Sequence, residues 1–124
     1  MPTPYRERIL DHYQCPRHWG HLIAPDRIGE AENPLCGDQV RVELRLDGAG
    51  TVTEASFTGE GCVIALAAAS MLMEYIQGQP MEELRRIGEA DVVQWLGMDL
   101  RPARRACARV ALEALRDAIN GHRL

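Results

Sequence analysis

Three of the four cysteines stand in short polar or glycine-rich stretches beside residues that could act with them. In "NPLCGD", residues 33–38, Cys36 and Asp38 are one glycine apart. Gly37 allows a tight bend there, one that can aim a soft thiolate and a hard carboxylate at a single point. In "GEGC", Gly59 and Gly61 free the backbone ahead of Cys62. Cys62 then stands where an apolar helical run begins, and the open N–H groups and dipole of a helix N-terminus favour a thiolate. In "RPARRACAR", Arg104 precedes Cys107 by three residues and so shares its helix face, which also favours the thiolate. Thiolates with a carboxylate suit metal ligation, and an activated thiolate suits nucleophilic sulfur chemistry.

Each residue also has a plainer use. A free cysteine packs well as a small buried hydrophobe, and Asp after Gly is often a turn or cap residue. Met71, Met73, Phe57 and Trp95 read as core. His12, His18, His21 and His122 have no zinc-finger spacing to a cysteine, and most read as surface residues. Arg101, Arg105 and Arg109, four apart, read as a solvated face. Cys15, beside Pro16, is assigned no role.

Composition narrows the classes. The 124 residues make one domain by length, 1–124, large enough for a hydrophobic core without staples. Four scattered cysteines do not make a secreted disulfide framework, and "MPTPYRERIL" has no apolar leader, so a reducing cytoplasm is expected. The apolar run from Val63 to Met73 is too short for a membrane span. A net charge of −4 argues against nucleic acid as a partner. All 14 basic residues are arginine, which excludes lysine Schiff bases and Gly-Lys-Ser/Thr phosphate loops.

The elements that must position these residues follow from periodicity. "YRERILDHYQCP" places Tyr5, Ile9, Leu10 and Tyr13 on one stripe of a short helix stopped by Pro16. A polar connection follows, with a weak strand near Arg27 to Ala31. Val40, Val42, Leu44 and Leu46 then alternate with polar residues, "DGAG" makes a turn, and "TVTEASF" returns as the partner strand. "VIALAAASMLMEYIQ" is a helix that is apolar nearly all round and therefore central, with Gly78 at its C-terminal end. Shorter helices are expected in "MEELRRI" and "ADVVQWL". A last helix runs from Pro102 to about Asn120, with Ala108, Ala111, Leu112, Leu115 and Ile119 on one stripe and Gly121 beyond it. This order predicts an α+β fold: a small antiparallel three-stranded sheet with helices packed on one face. Cys36, Cys62 and Cys107 all fall at element ends.

"NPLCGD", "FTGEGCVIALAAASMLMEYIQG" and "RPARRACA", in that order, resemble the U-type iron-sulfur cluster assembly scaffolds: IscU, SufU and the N-terminal domain of NifU. "ILDHYQCPRHWG" is similar to that family's N-terminal helix. The resemblance runs from about Tyr5 to Ala118 and implies the SufE/NifU-like fold. It also implies that Cys36, Asp38, Cys62 and Cys107 form one site, binding iron, a transient [2Fe–2S] cluster or zinc. In such a family a cysteine desulfurase supplies sulfur, and the cluster passes to acceptor apo-proteins. The protein would then be a scaffold and carrier more than an enzyme.

The chain departs from both branches of the family. Where IscU has His before the third cysteine, this sequence has Ala106; SufU also lacks the His, and Pro102, Ala103 and Arg104 match the SufU "PAR". Yet Cys62 and Cys107 are 45 residues apart, which leaves no room for the SufU insertion. The chaperone-binding segment of IscU survives only in part, as "LRPAR" at Leu100 to Arg104. The resemblance therefore implies a cluster scaffold with Asp38 as a labile ligand. Its alternative is a zinc-dependent sulfurtransferase in which Cys107 takes the persulfide and Arg104 tunes it, and a zinc-stapled interaction module is a third reading.

Overall fold

The computed structural model describes residues 3–97 and 100–120, with side chains from Arg6 onward. Helix α1 (Thr3–Gln14) leads into strands β1 (Arg27–Asn33), β2 (Asp38–Leu46) and β3 (Val52–Glu60). Helices α2 (Val63–Ile76), α3 (Met81–Arg86), α4 (Glu89–Leu96) and α5 (Pro102–Ile119) follow. The strands form one antiparallel sheet in the order β1-β2-β3. Alternation along β2 puts Val40, Val42 and Leu44 on the covered face, with Ala55 and Phe57 opposite on β3. Helix α5 lies on β1 and β2, α2 lies on β3, and α1 packs on α2. This is the α+β arrangement the residue pattern predicts.

Two features set the position of α5, the helix that carries Cys107. Gly29 on β1 faces Ala114 and Ala118, and any side chain there would run into the α5 backbone. Strand and helix therefore touch closely. At the far end, Arg27 Nη1 donates to the carbonyls of Ala118 and Ile119 and so caps the helix C-terminus. The central helix is as expected: Ile64, Ala65 and all of Ala67–Met73 are buried, and Gly78 takes φ +88° just past its end.

Several expectations need correction. On α1 the buried face is Ile9 with His12, while Leu10 and Tyr13 are 41% and 39% exposed. The helix rests on α2 along a narrow i, i+3 face, too narrow for a full apolar stripe. His12 is thus no surface residue. The Tyr5 side chain, Gly121 and His122 lie outside the described residues. His18 is half-buried. His21 is exposed as predicted, but its Nδ1 lies 2.6 Å from Glu43 Oε2. Arg109 pairs with Glu89 at 2.8 Å, while Arg101 and Arg105 are exposed.

The connection after α1 also does more than link. His18 O accepts the Phe57 amide and Gly20 N–H donates to Phe57 O, so the chain closes the outer edge of β3. It then crosses the outer sheet face, where Glu43 accepts the Leu22 amide at 2.9 Å. No helix among the described residues is long and apolar enough to cross a membrane.

Candidate metal centre

The stretch "NPLCGD" is the turn between β1 and β2. Asn33 and Asp38 face each other as the last pair of the ladder, so Pro34 to Gly37 form the loop tip. Asn33 organises it: its carbonyl accepts the amides of Cys36 and Gly37, and its Oδ1 accepts Leu35 N–H at 3.2 Å. That is an Asx turn, with Gly37 supplying φ +74°. Asn before Pro at a turn is the sequence signal that marks Asn33. The tip leaves Cys36 exposed, with Leu35 92% exposed beside it.

Asp38 begins β2 and is fully buried. Across the sheet, Gln39 pairs with Glu60 at the end of β3, so the chain entering α2 passes directly by Asp38. There Asp38 Oδ1 accepts the Cys62 amide at 3.0 Å. Cys62 is the N-cap of α2, in extended conformation, and its own side chain makes no cap hydrogen bond. Asp38 serves the helix start in its place. The other carboxylate oxygen, Oδ2, is buried with no hydrogen-bond partner. An orphaned carboxylate oxygen in a buried site suits a cation.

The third contribution comes from α5. Cys107, in its second turn and 2% exposed, has its Sγ 3.9 Å from Cys36 Sγ and 3.6 Å from Ala103 O. One ligand atom each from Cys36, Asp38 and Cys107 lies within 4.8 Å of the others. Burial, with Asp38, Cys62 and Cys36 around it, pushes the Cys107 thiol well up. Burial and these neighbours therefore oppose the thiolate that Arg104 is expected to favour. Arg104 is exposed and lines an adjoining cavity of about 490 Å³ with Tyr13, Gly61, Cys62, Val63, Ile64 and Leu100. Tyr13 and Leu100 carry no spacing signal that links them to the cysteines, and sequence reasoning missed both.

The structure thus brings Cys36, Asp38 and Cys107 together and ties Cys62 to Asp38 through its backbone. Cys15 is exposed at the end of α1. Two thiols and a carboxylate around one point suit a metal that accepts both soft and hard ligands, such as zinc or iron.

Fold and site together define a small α+β protein with a thiol–carboxylate cluster where two strand ends meet two helices. The chain belongs to the NifU-like N terminal domain family, whose model matches residues 4–123. It is 35% identical over 98% of its length to the bifunctional protein NifU/MnmA of Rubrobacter xylanophilus, of which it spans 25%. It is 32% identical to the zinc-dependent sulfurtransferase SufU of Bacillus subtilis, with 96% of this chain and 91% of that one covered. It is 31% identical to the iron-sulfur cluster assembly scaffold protein IscU of Haemophilus influenzae, covering 93% and 92%. In fold it matches the N-terminal part of a nitrogen-fixing NifU-like protein from Brucella abortus with a TM-score of 0.75, at 23% identity over 94% and 92% of the two chains.

Proposed function

We propose that this protein is a scaffold on which iron-sulfur clusters are assembled. The observation that carries this reading is the buried, unpartnered Asp38 Oδ2 beside two thiols that come from different elements. Cys36, Asp38, Cys62 and Cys107 would hold a transient [2Fe–2S] cluster as cargo. Iron and sulfur are the inputs, a cysteine desulfurase is the sulfur donor, and acceptor apo-proteins receive the product. Three thiolates retain iron firmly, while the carboxylate is a harder and weaker ligand for a cluster, which suits cargo meant to leave. The exposed tip at Leu35 and Cys36 leaves one side of the site open to partner proteins.

A second reading is a zinc-dependent sulfurtransferase. Ala106 in place of His, and the relative named for that activity, favour it. The same residues would then hold zinc, and a site thiol would carry persulfide.

Both are tested by purifying the protein without oxygen and incubating it with a cysteine desulfurase, cysteine and ferrous iron. About two irons and two acid-labile sulfides per site, with visible absorption, are expected of a [2Fe–2S] scaffold. One zinc that iron does not displace, with persulfide on a cysteine, selects the sulfurtransferase. Uptake of neither iron nor sulfur overturns both.

A further inference from the structure

The outer face of the sheet, away from the helices, carries an open groove of about 640 Å³ that none of Cys36, Cys62 and Cys107 lines. Alternation on β2 turns Gln39 and Arg41 to this face, while Val40 and Val42 point into the core. The register then sets two rows across the three strands. One is Glu30, Arg41 and Thr58; the other, at the end of the sheet where Asp38 lies, is Glu32, Gln39 and Glu60. Trp19 borders the groove at the β3 edge and is 50% exposed. It is nonetheless fixed, by the backbone bonds of His18 and Gly20 to Phe57 and by an edge-to-face contact with the Phe57 ring at 5.3 Å.

The charges on this face do not balance. Arg41 is shared between Glu30 at 3.1 Å and buried Glu43 at 3.0 Å, and Arg45 is taken by Glu54. Among the described residues, neither Glu32 nor Glu60 has an ion-pair partner, and both are exposed. They stand on either side of Gln39, two strand spacings or about 9.5 Å apart. We propose that the groove docks an arginine-bearing segment of a partner protein, with one guanidinium on Trp19 and others on Glu32 and Glu60. A guanidinium stacks on an indole face and donates in pairs to a carboxylate, so this combination fits arginine better than any other side chain. Excess negative charge around the fixed tryptophan steers such a segment in and rejects acidic ones. Gln39 adjoins Asp38 in the chain, but the two point to opposite faces of the sheet. The exposed tip at Leu35 and Cys36 is not part of the groove, so a partner held here leaves the thiol side of the metal centre free for a second protein. This inference goes beyond the scaffold reading and does not depend on it.

The test titrates the full chain, isotope-labelled for NMR, with a blocked peptide of about six residues in which arginine alternates with alanine, so that in an extended chain the arginines share one face. Saturable shifts are expected in the amides of Glu32, Gln39, Thr58 and Glu60 and in the Trp19 indole N–H, with the amides of α3 unmoved. The same peptide with citrulline for arginine keeps the shape and loses the charge, and it is expected to bind at least tenfold more weakly. Trp19→Ala is expected to weaken binding of the arginine peptide at least fivefold. So is Glu32→Gln combined with Glu60→Gln, at two exposed positions where folding is not at stake. Glu82→Gln, an exposed carboxylate on α3, is the control and should change nothing. The proposal is overturned by the absence of saturable shifts, by shifts centred away from the groove, by equal affinity for the arginine and citrulline peptides, or by undiminished affinity in either groove variant. No iron, sulfide or desulfurase enters the experiment, so its failure leaves the scaffold reading standing.

Discussion

Asp38 Oδ1 and the Cys62 amide are joined at 3.0 Å, which fastens the start of β2 to the start of α2 across a single residue, Gly61. That residue has to be glycine. A Cβ at Gly61 would stand 2.5 Å from Asp38 Oδ1, and its φ of +154° is one that L side chains rarely adopt. Gly61→Ala is therefore expected to displace the Asp38 carboxylate from Cys36 and Cys107 and to weaken zinc binding at least tenfold, about 1.4 kcal/mol. Gly48→Ala, where a Cβ meets nothing within 4 Å, is the control. Competition against a chelator measures both, and equal affinities would show that Asp38 does not hold the metal.

Asp38→Ala tests the labile-ligand role from the other side. Three thiolates remain, so a cluster should still assemble, and it should outlast the wild-type cluster because its weakest ligand is gone. The decay of visible absorption in the presence of a chelator reads this directly, and faster loss would count against the role. The substitution also removes the acceptor of the Cys62 amide, with an expected loss of about 1 kcal/mol in folding stability.

On the opposite sheet face, Glu43 holds the crossing loop. Burial alone would raise its carboxyl, but bonds from His21, the Leu22 amide and Arg41 outweigh that and hold it below the usual range. Glu43→Ala leaves the Leu22 amide and the Arg41 guanidinium without this partner. The expected loss is about 2 kcal/mol, since the Arg41 guanidinium keeps some contact with water. Hydrogen exchange should quicken in residues 17–25, including the His18 and Gly20 pairing with Phe57. Unchanged exchange there would mean that the β3 edge holds the loop without Glu43.

The sheet and the five helices are legible in the sequence because a period of 2 is strong in Val40–Leu46, a period of 3.6 is strong in Pro102–Ile119, and Val63–Ile76 is an unbroken run of apolar helix formers. So is the convergence of Cys36, Asp38 and Cys107, through the resemblance and through their places at element ends. Other features depend on partners far away in the chain, which no local window reports. Burial of His12 needs Ser70, 58 residues on. Gly29 looks like a weak point in a strand until the α5 backbone is seen against it. The pocket beside Cys62 joins three separate segments, at Tyr13, at Gly61 to Ile64 and at Leu100 to Arg104.

Ser70 gives the last prediction. Its Oγ, fully buried in α2, accepts the Arg17 amide at 2.8 Å and lies 2.7 Å from His12 Nδ1. The hydroxyl has one proton and two lone pairs, so it can accept from Arg17 and still donate to Nδ1, an arrangement that puts the ring proton of neutral His12 on Nε2, towards Glu74. Burial lowers the His12 pKa from the ordinary 6.5, Arg17 and Arg8 push the same way, and Glu74 and Asp11 oppose them. With the folded value below the unfolded one, the unfolded chain binds the proton first as pH falls. The His12 contribution is therefore fully present above about pH 6.5 and is lost as pH drops from there through the lower, folded value. Urea denaturation between pH 5 and 8 should show wild-type stability falling on the acid side, with a shallower fall in His12→Gln. Ser70→Ala strands the part-buried Arg17 amide and should cost about 1–3 kcal/mol at every pH. Equal acid slopes in wild type and His12→Gln would assign the effect to the other histidines and leave the His12–Ser70 contact a pH-independent clasp between α1 and α2.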